Sequence, residues 1–221
     1  MKLTANVIGA TGLVGKYLVQ QLLDNTEFEK VRIFVRRDSG ISHSKLEQQI
    51  VDYPNSEDWK DKLQGDVLFS ALGTTLKQAG GKEKQYEIDF TYNLNFAKQA
   101  KQNGIENYVL VSSVGADANS KIFYSRMKGE LDEAVSKIGY RNLVILRPAS
   151  LMGERSEKRT MEDITVPALQ FLTKFVLKKY KPIHGKTVAA AMINAVLNSK
   201  NDKTIWEARE VFELAKFKNI S

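Results

Sequence analysis

Short apolar runs alternate with amphipathic stretches along most of the chain. Leu3 to Ile8 is the first run, and from Leu13 to Leu23 the apolar positions recur at helical spacing before Val31-Arg32-Ile33-Phe34-Val35 opens a second run. A polar loop from Arg37 to Ser44 leads to a short helix expected around Lys45 to Gln48 and a strand at Gln49-Ile50-Val51. Asp66 to Ala71 reads as a buried fourth strand, and it ends in Leu72-Gly73-Thr74-Thr75. Tyr86 to Asn103 predicts one long helix closed by Gly104, because glycine readily takes the left-handed turn that stops a helix. Tyr108 to Ser113, Tyr124 to Ile138 and Leu143 to Leu146 add a strand, a helix and a sixth strand. Strands separated by helices imply a parallel sheet, and near-continuous apolar strands imply helices on both of its faces.

The remainder of the chain reads less regularly. Residues 153–163 are densely charged and predict a loop, and Val166 to Tyr180 has the apolar spacing of an amphipathic helix suited to the core or to a dimer face. Val188 to Leu197 reads as an alanine-rich helix. Trp206 to Phe217 is expected either to pair with the sheet edge or to close over the cleft. The expected organisation is a single domain over residues 1–221, with a binding core in 1–150 and a small substrate or lid portion in 151–221.

Gly9, Gly12 and Gly15 stand between the first strand and the first helix, in Val7-Ile8-Gly9-Ala10-Thr11-Gly12-Leu13-Val14-Gly15. In such a position the first glycine permits the tight turn and the second lets a pyrophosphate touch the main chain. The third lets the helix pack on the sheet. The helix start adds unpaired N–H groups and the positive end of a dipole. The spacing G-x-x-G-x-x-G differs from G-x-G-x-x-G, so the weight falls on the strand, loop, helix and second strand around it. The fold expected is therefore α/β: a Rossmann-like doubly wound parallel sheet that binds a dinucleotide outside the carboxyl ends of its strands.

Composition changes this picture little. The chain has 221 residues, 43% hydrophobic and 27% charged, with no apolar stretch of membrane-spanning length, so neither a disordered chain nor a membrane-embedded one is expected. A net charge of +7 is spread along the chain and interleaved with acids; it argues for a solvated surface with a bias toward phosphorylated small ligands, and not for nucleic acid. Zero cysteines exclude disulfides and thiolate metal sites. The start, Met1-Lys2-Leu3-Thr4, enters a strand at once without a signal-peptide pattern, and a cytoplasmic location is expected. No metal site is expected either. His184, one of two histidines, has no acid or cysteine at ligand spacing and reads as structural.

Candidate chemistry sits at the strand ends. After the second strand, where an acid would bond the ribose 2′-hydroxyl of NAD, the chain has Arg36 and Arg37, whose donors suit a 2′-phosphate; the cofactor expected is NADP(H). Asp52, after the third strand, is a candidate for the adenine, and Leu72 and Gly73 for the adenosine side. Tyr124 and Lys128 lie four residues apart, on one face of a helix. An ordinary tyrosine is a poor proton donor at neutral pH, and a nearby ammonium stabilises its phenolate, so the pair makes a usable general acid. Ser112 and Ser113 end the fifth strand, where a hydroxyl could bond a substrate carbonyl.

At these residues the chain resembles a known family. The glycine run, Ser112-Ser113, Tyr124-Ser125-Arg126-Met127-Lys128 and Arg147-Pro148 together resemble the short-chain dehydrogenase/reductase superfamily. Ser70 to Thr75, Ser112 to Asp117, Tyr124 to Glu130 and Leu146 to Leu151 resemble its atypical branch, which includes the Tat-interacting-protein oxidoreductases and their bacterial relatives. The resemblance implies NADPH bound by Thr11, Gly12, Leu13, Val14, Arg36, Arg37, Leu72 and Gly73. It implies that Tyr124 and Lys128 are catalytic and also touch the nicotinamide ribose, with Leu151 and Arg159 on the nicotinamide side. Ser113 is favoured over Ser112 as the catalytic serine by its place in the pair. The function expected is an NADP-dependent oxidoreductase reducing a small carbonyl; the alternatives are a non-catalytic NADP(H)-binding redox sensor with a protein partner, and an epimerase or dehydratase of nucleotide sugars. A homodimer is left open.

Overall fold

Each apolar run becomes a strand covered on both sides. In the computed structural model, which describes residues 2–152, 181–198 and 204–217, the strands are β1 (Leu3–Ile8), β2 (Phe28–Val35), β3 (Leu46–Ile50), β4 (Val67–Ser70), β5 (Asn107–Val111), β6 (Asn142–Arg147), β7 (Leu151–Met152), β8 (Ile183–His184) and β9 (Ile205–Glu207). Seven of them form one sheet in the order β3-β2-β1-β4-β5-β6-β9, with every pairing parallel. β7 and β8 form a separate parallel pair. Because the chain runs outward from β1 to β3 and then returns to β4 on the other side, the connections leaving β1 and β4 diverge to opposite faces. The crevice between them lies at the carboxyl ends of the strands.

The helices are α1 (Gly15–Asp24), α2 (Leu76–Ala79), α3 (Lys82–Tyr86), α4 (Asn93–Gln102), α5 (Phe123–Ser136), α6 (Gly185–Leu197) and α7 (Arg209–Leu214), with a π-helical turn at Glu87–Tyr92 joining α3 to α4. Successive strand residues point to opposite faces, and each face has its own core. Val7, Ile33, Phe69 and Val109 pack with Leu18 and Leu22 of α1, Val188 and Met192 of α6 and Leu214 of α7. Ile8, Phe34, Leu68 and Leu110 pack on the other side with Phe96 and Ala100 of α4 and Leu131 and Val135 of α5. The architecture is thus the expected Rossmann-like α/β sheet with helices on both faces.

Local expectations fared unevenly. The short helix expected at Lys45 to Gln48 is absent: Leu46 to Ile50 pairs residue for residue with Val31 to Val35 along the open edge of β2. An edge strand tolerates the polar Glu47, Gln48 and Gln49, and the tertiary pairing overrides their helical preference. The long helix from Tyr86 is interrupted by the π-helical turn, although Gly104 does terminate it with φ of +85°. Trp206 lies in β9 against β6, so the C-terminal segment takes the first of its two expected roles. Residues 153–180, which carry the expected charged loop and amphipathic helix, lie outside the described residues. His184 is structural, as expected: its Nδ1 accepts the Lys186 N–H at 3.1 Å and caps α6. Next to it, a Cβ on Gly185 would stand 2.6 Å from the Leu13 carbonyl oxygen, so the start of α6 presses directly on the glycine loop.

Candidate functional site

The glycine loop is shaped by two close backbone approaches and one open position. Gly9 has φ of +77°, and a Cβ there would lie 2.4 Å from the Ala71 carbonyl carbon at the exit of β4. A Cβ on Gly15 would lie 2.0 Å from the Gly9 oxygen, so the first turn of α1 folds back onto the end of β1. At Gly12 the nearest atom is the Gly9 oxygen at 3.2 Å, and this residue borders open space. Among the described residues no side chain caps the amino end of α1. The N–H groups of Lys16, Tyr17 and Leu18 bond back to the carbonyls of Gly12 and Val14, so the positive end of the helix dipole opens at Gly12 to Val14, and the cradle fits a dinucleotide pyrophosphate.

That open space is a cleft of about 430 Å³ at the carboxyl edge of the sheet. Thr11, Gly12, Leu13, Val14 and Lys16 form one wall, and Ala71, Leu72, Gly73, Thr74, Thr75 and Gln78 form another. Val111, Ser112, Tyr124, Lys128, Asp89 and Leu151 complete it. The loop after β4 is fixed from beneath by the π-helical turn. Asp89 accepts the Thr74 N–H at 2.6 Å, and Asn93 Nδ2 donates to the carbonyls of Leu72, Ile88 and Asp89 at 3.3, 3.1 and 3.0 Å. The Ser70 hydroxyl donates to Asn93 Oδ1. Both residues are buried. Burial pushes the Asp89 carboxyl above the usual carboxylate range, and the Lys128 ammonium, the Thr74 N–H and Gln85 oppose that rise. Asn93→Ala should therefore lower stability by about 2–3 kcal/mol in urea unfolding, since it strands the Leu72 carbonyl and the Ser70 hydroxyl without a partner; a loss under about 0.5 kcal/mol would mean that the loop does not depend on this clamp.

Lys128 is 3% exposed, and its Nζ lies 3.4 Å from the Val111 carbonyl oxygen at the end of β5. Tyr124, one turn earlier on α5, is 40% exposed. The structure thus brings Tyr124 and Lys128 to the cleft together with Thr11, Gly12, Leu13, Val14, Leu72, Gly73 and Leu151. It separates the two serines. Ser112 lines the cleft, whereas Ser113 stands outside it, its hydroxyl 3.4 Å from the Val114 oxygen. Strand alternation accounts for this. The Ser112 N–H extends the pairing with Leu146, so its side chain follows Tyr108 and Leu110 toward α5, and Ser113 follows Val109 and Val111 away from it. Geometry therefore assigns the cleft position to Ser112, a correction to the preference for Ser113.

Arg36 and Arg37 are exposed beyond the end of β2 and do not line the cleft; neither does Asp52, whose N–H is bonded to Asp58. Gly9 and Gly15 serve the loop from behind. Arg159 lies outside the described residues. Sequence reasoning missed Asp89 and Asn93, although a buried-face Asp and Asn four residues apart inside a helical stretch are poor helix formers and invite a local polar role.

Comparison with known proteins supports a nicotinamide cofactor. Residues 9–199 match a family model described as NAD(P)H-binding. The mitochondrial protein FMP52 of Saccharomyces cerevisiae is 39% identical over 202 residues, covering 87% of each chain. FMP52-1 of Scheffersomyces stipitis, also named mitochondrial, is 35% identical over 226 residues, 97% of this chain and 99% of its own. Among solved structures, UDP-glucose 4-epimerase of Thermotoga maritima superposes with a TM-score of 0.70 at 14% identity, over 96% of this chain and 81% of that one. UDP-glucose 4-epimerase of Thermus thermophilus, in complex with NAD, gives 0.68 at 17%, over 96% and 82%. The likeness to these epimerases is one of fold. The relatives' mitochondrial names overturn the expected cytoplasmic location, which had leaned on a cysteine-free sequence; lack of disulfides is compatible with any compartment.

Proposed function

The chain belongs to the NAD(P)H-binding family, and on that premise we propose that it is an NADP-dependent oxidoreductase that reduces a small carbonyl compound. The observation that carries the reading is the meeting of the glycine loop with Tyr124 and Lys128 in one cleft. The glycine loop and the amino end of α1 would hold the pyrophosphate, Arg36 and Arg37 the 2′-phosphate, and Leu72 and Gly73 the adenosine side. When bound, the nicotinamide supplies a hydride. Tyr124, at the exposed side of the cleft, gives its hydroxyl proton to the carbonyl oxygen, and the substrate leaves as an alcohol. The buried Lys128 holds a fixed positive charge beside the ribose position and the tyrosine.

The test is a panel of aldehydes, ketones and quinones offered to the purified protein with NADPH, followed by loss of nicotinamide absorbance. Oxidation of NADPH matched by formation of the alcohol supports the proposal. Tight NADPH binding with no turnover anywhere in the panel would count against it and favour a cofactor-binding sensor. Cofactor choice is separately measurable. NADPH should bind about 1.5 kcal/mol more tightly than NADH, the scale of a charge-assisted hydrogen bond to a phosphate, or roughly tenfold in Kd by calorimetry. Equal affinities would remove the role given to Arg36 and Arg37.

A further inference from the structure

Arg36 and Arg37 are followed directly by an acid, Asp38. A carboxylate near the exit of β2 suits the ribose 2′-hydroxyl of NAD, and its charge opposes a 2′-phosphate, so Arg36-Arg37-Asp38 places contrary demands side by side. The structure turns the acid aside. Asp38 Oδ1 accepts from Gln48 Nε2 at 2.8 Å and from the Gly40 N–H at 3.0 Å. The same Gln48 side chain takes the Ser39 N–H on its Oε1 at 2.8 Å. Gln48 stands on β3 opposite Ile33 of β2, so one amide reaches from the edge strand to the loop and uses both of its ends.

The arginine pair is thereby bracketed on both sides. Before it, the last two carbonyls of β2 are held by the segment that follows β3: the Tyr53 hydroxyl donates to the Phe34 oxygen at 2.7 Å, and the Val51 N–H to the Val35 oxygen at 2.9 Å. After it, Gln48 holds Asp38 and Ser39. Arg36 and Arg37 stay exposed between these anchors. The Gln48 amide, and after it the Gly40 N–H, hold the Asp38 carboxyl below the usual carboxylate range. Its charge is therefore present at neutral pH, and an ionised carboxylate only accepts hydrogen bonds. What the loop controls is the direction in which that acceptor points.

We propose that Gln48 determines cofactor specificity: by holding Asp38 against β3 and the Gly40 turn, it leaves Arg36 and Arg37 to meet a 2′-phosphate without the acid between them. Gln48 acts through Asp38 and is a positioning residue. The inference rests on the assignment of the 2′-phosphate to the two arginines. Without Gln48, the Asp38 carboxylate is free to turn onto a neighbouring guanidinium or to accept a ribose hydroxyl, and either movement favours NADH over NADPH.

The deciding experiment is calorimetric titration of the full chain with NADPH and with NADH, in the wild type, Gln48→Met, Asp38→Asn and the double variant. Methionine keeps the unbranched shape of the side chain and removes both ends of the amide. Gln48→Met should lower the ratio of NADPH to NADH affinity by about threefold to fivefold, the scale of one exposed charge interaction. Asp38→Asn keeps an oxygen for the Gly40 N–H and removes the charge, so alone it should hold the ratio at or above that of the wild type. Added to Gln48→Met it should restore the ratio, a rescue that a merely structural role of Gln48 would not give. Equal loss of both affinities in Gln48→Met, or a lowered ratio that Asp38→Asn does not restore, overturns the proposal and leaves the arginine assignment standing. A wild type that binds the two cofactors alike overturns both. Should Gln48→Met fail to fold, Gln48→Glu retains an acceptor for the Ser39 N–H and expels Asp38 by like charge; its lowered ratio should rise again with Asp38→Asn, and a ratio that does not overturns the proposal.

Discussion

Gly15→Ala should unfold the cofactor site and much of the domain with it, whereas Gly12→Val should leave the fold standing and abolish binding. The two glycines are three residues apart and face opposite demands. A methyl on Gly15 would sit 2.0 Å from the Gly9 carbonyl oxygen and 2.8 Å from its carbon, so α1 has to move off the end of β1 to admit it. That displacement disturbs Leu18 and Leu22, which are fully buried against the sheet. A cost of about 3 kcal/mol or more follows, in the range reserved for steric conflicts that a core cannot relax. A Cβ on Gly12 would meet the Gly9 oxygen at 3.2 Å and the Ala71 oxygen at 3.8 Å, and otherwise it borders the cleft. A valine there destabilises modestly and occupies the space into which a pyrophosphate must come. Urea unfolding and calorimetric titration with NADPH separate the outcomes. Wild-type binding by Gly12→Val would show that this loop does not receive the phosphates, and wild-type stability of Gly15→Ala would show that α1 and β1 do not meet as closely as described.

Tyr124→Phe should reduce turnover of any carbonyl found by ~10²–10⁴-fold, the usual loss when a general acid is removed. The ring is 40% exposed and its hydroxyl is the only group deleted, so stability and NADPH affinity should change little. Lys128→Met is expected to differ by impairing both binding and turnover, because the ammonium is buried and its charge favours the ionised forms of both Asp89 and Asp132. Steady-state rates and NADPH titration of the two variants give the comparison. If Tyr124→Phe keeps most of the activity, the proton comes from elsewhere and the tyrosine loses its assignment.

The parts of this molecule that were legible in the sequence are those where one local rule decides the outcome. Gly9, Gly12 and Gly15 announced the loop because each position excludes a side chain for its own steric reason. Continuous apolar runs announced strands covered on both faces. What stayed hidden depends on partners far along the chain. Residues 45–48 looked helical because their pairing with β2 is not written in their own spacing. The π-helical turn at Glu87–Tyr92 follows from Asp89 and Asn93 reaching to the loop after β4, a tertiary demand. Ser112 could have been told from Ser113 by carrying the strand alternation one residue further. Asp132 carried no local signal, and Arg147 entered only through the resemblance at Arg147-Pro148, since their pairing is a contact between α5 and β6.

The contact of Gly185 with Leu13 has a bearing on how the chain is made. A polypeptide grows from its amino end, and the whole glycine motif, both members of the Tyr124–Lys128 pair and six of the seven strands of the main sheet have been synthesised by residue 147. At that moment one sheet face has only α1 to cover it, because α6 and α7 are still to come. The glycine loop also lacks the backbone that will press on it from residue 185. A nascent chain thus carries a complete binding signature before it has the support that shapes the site. Cofactor capture then belongs to the released polypeptide, and a ribosome-stalled fragment ending at Met152 would exchange its sheet amides far faster than the finished protein.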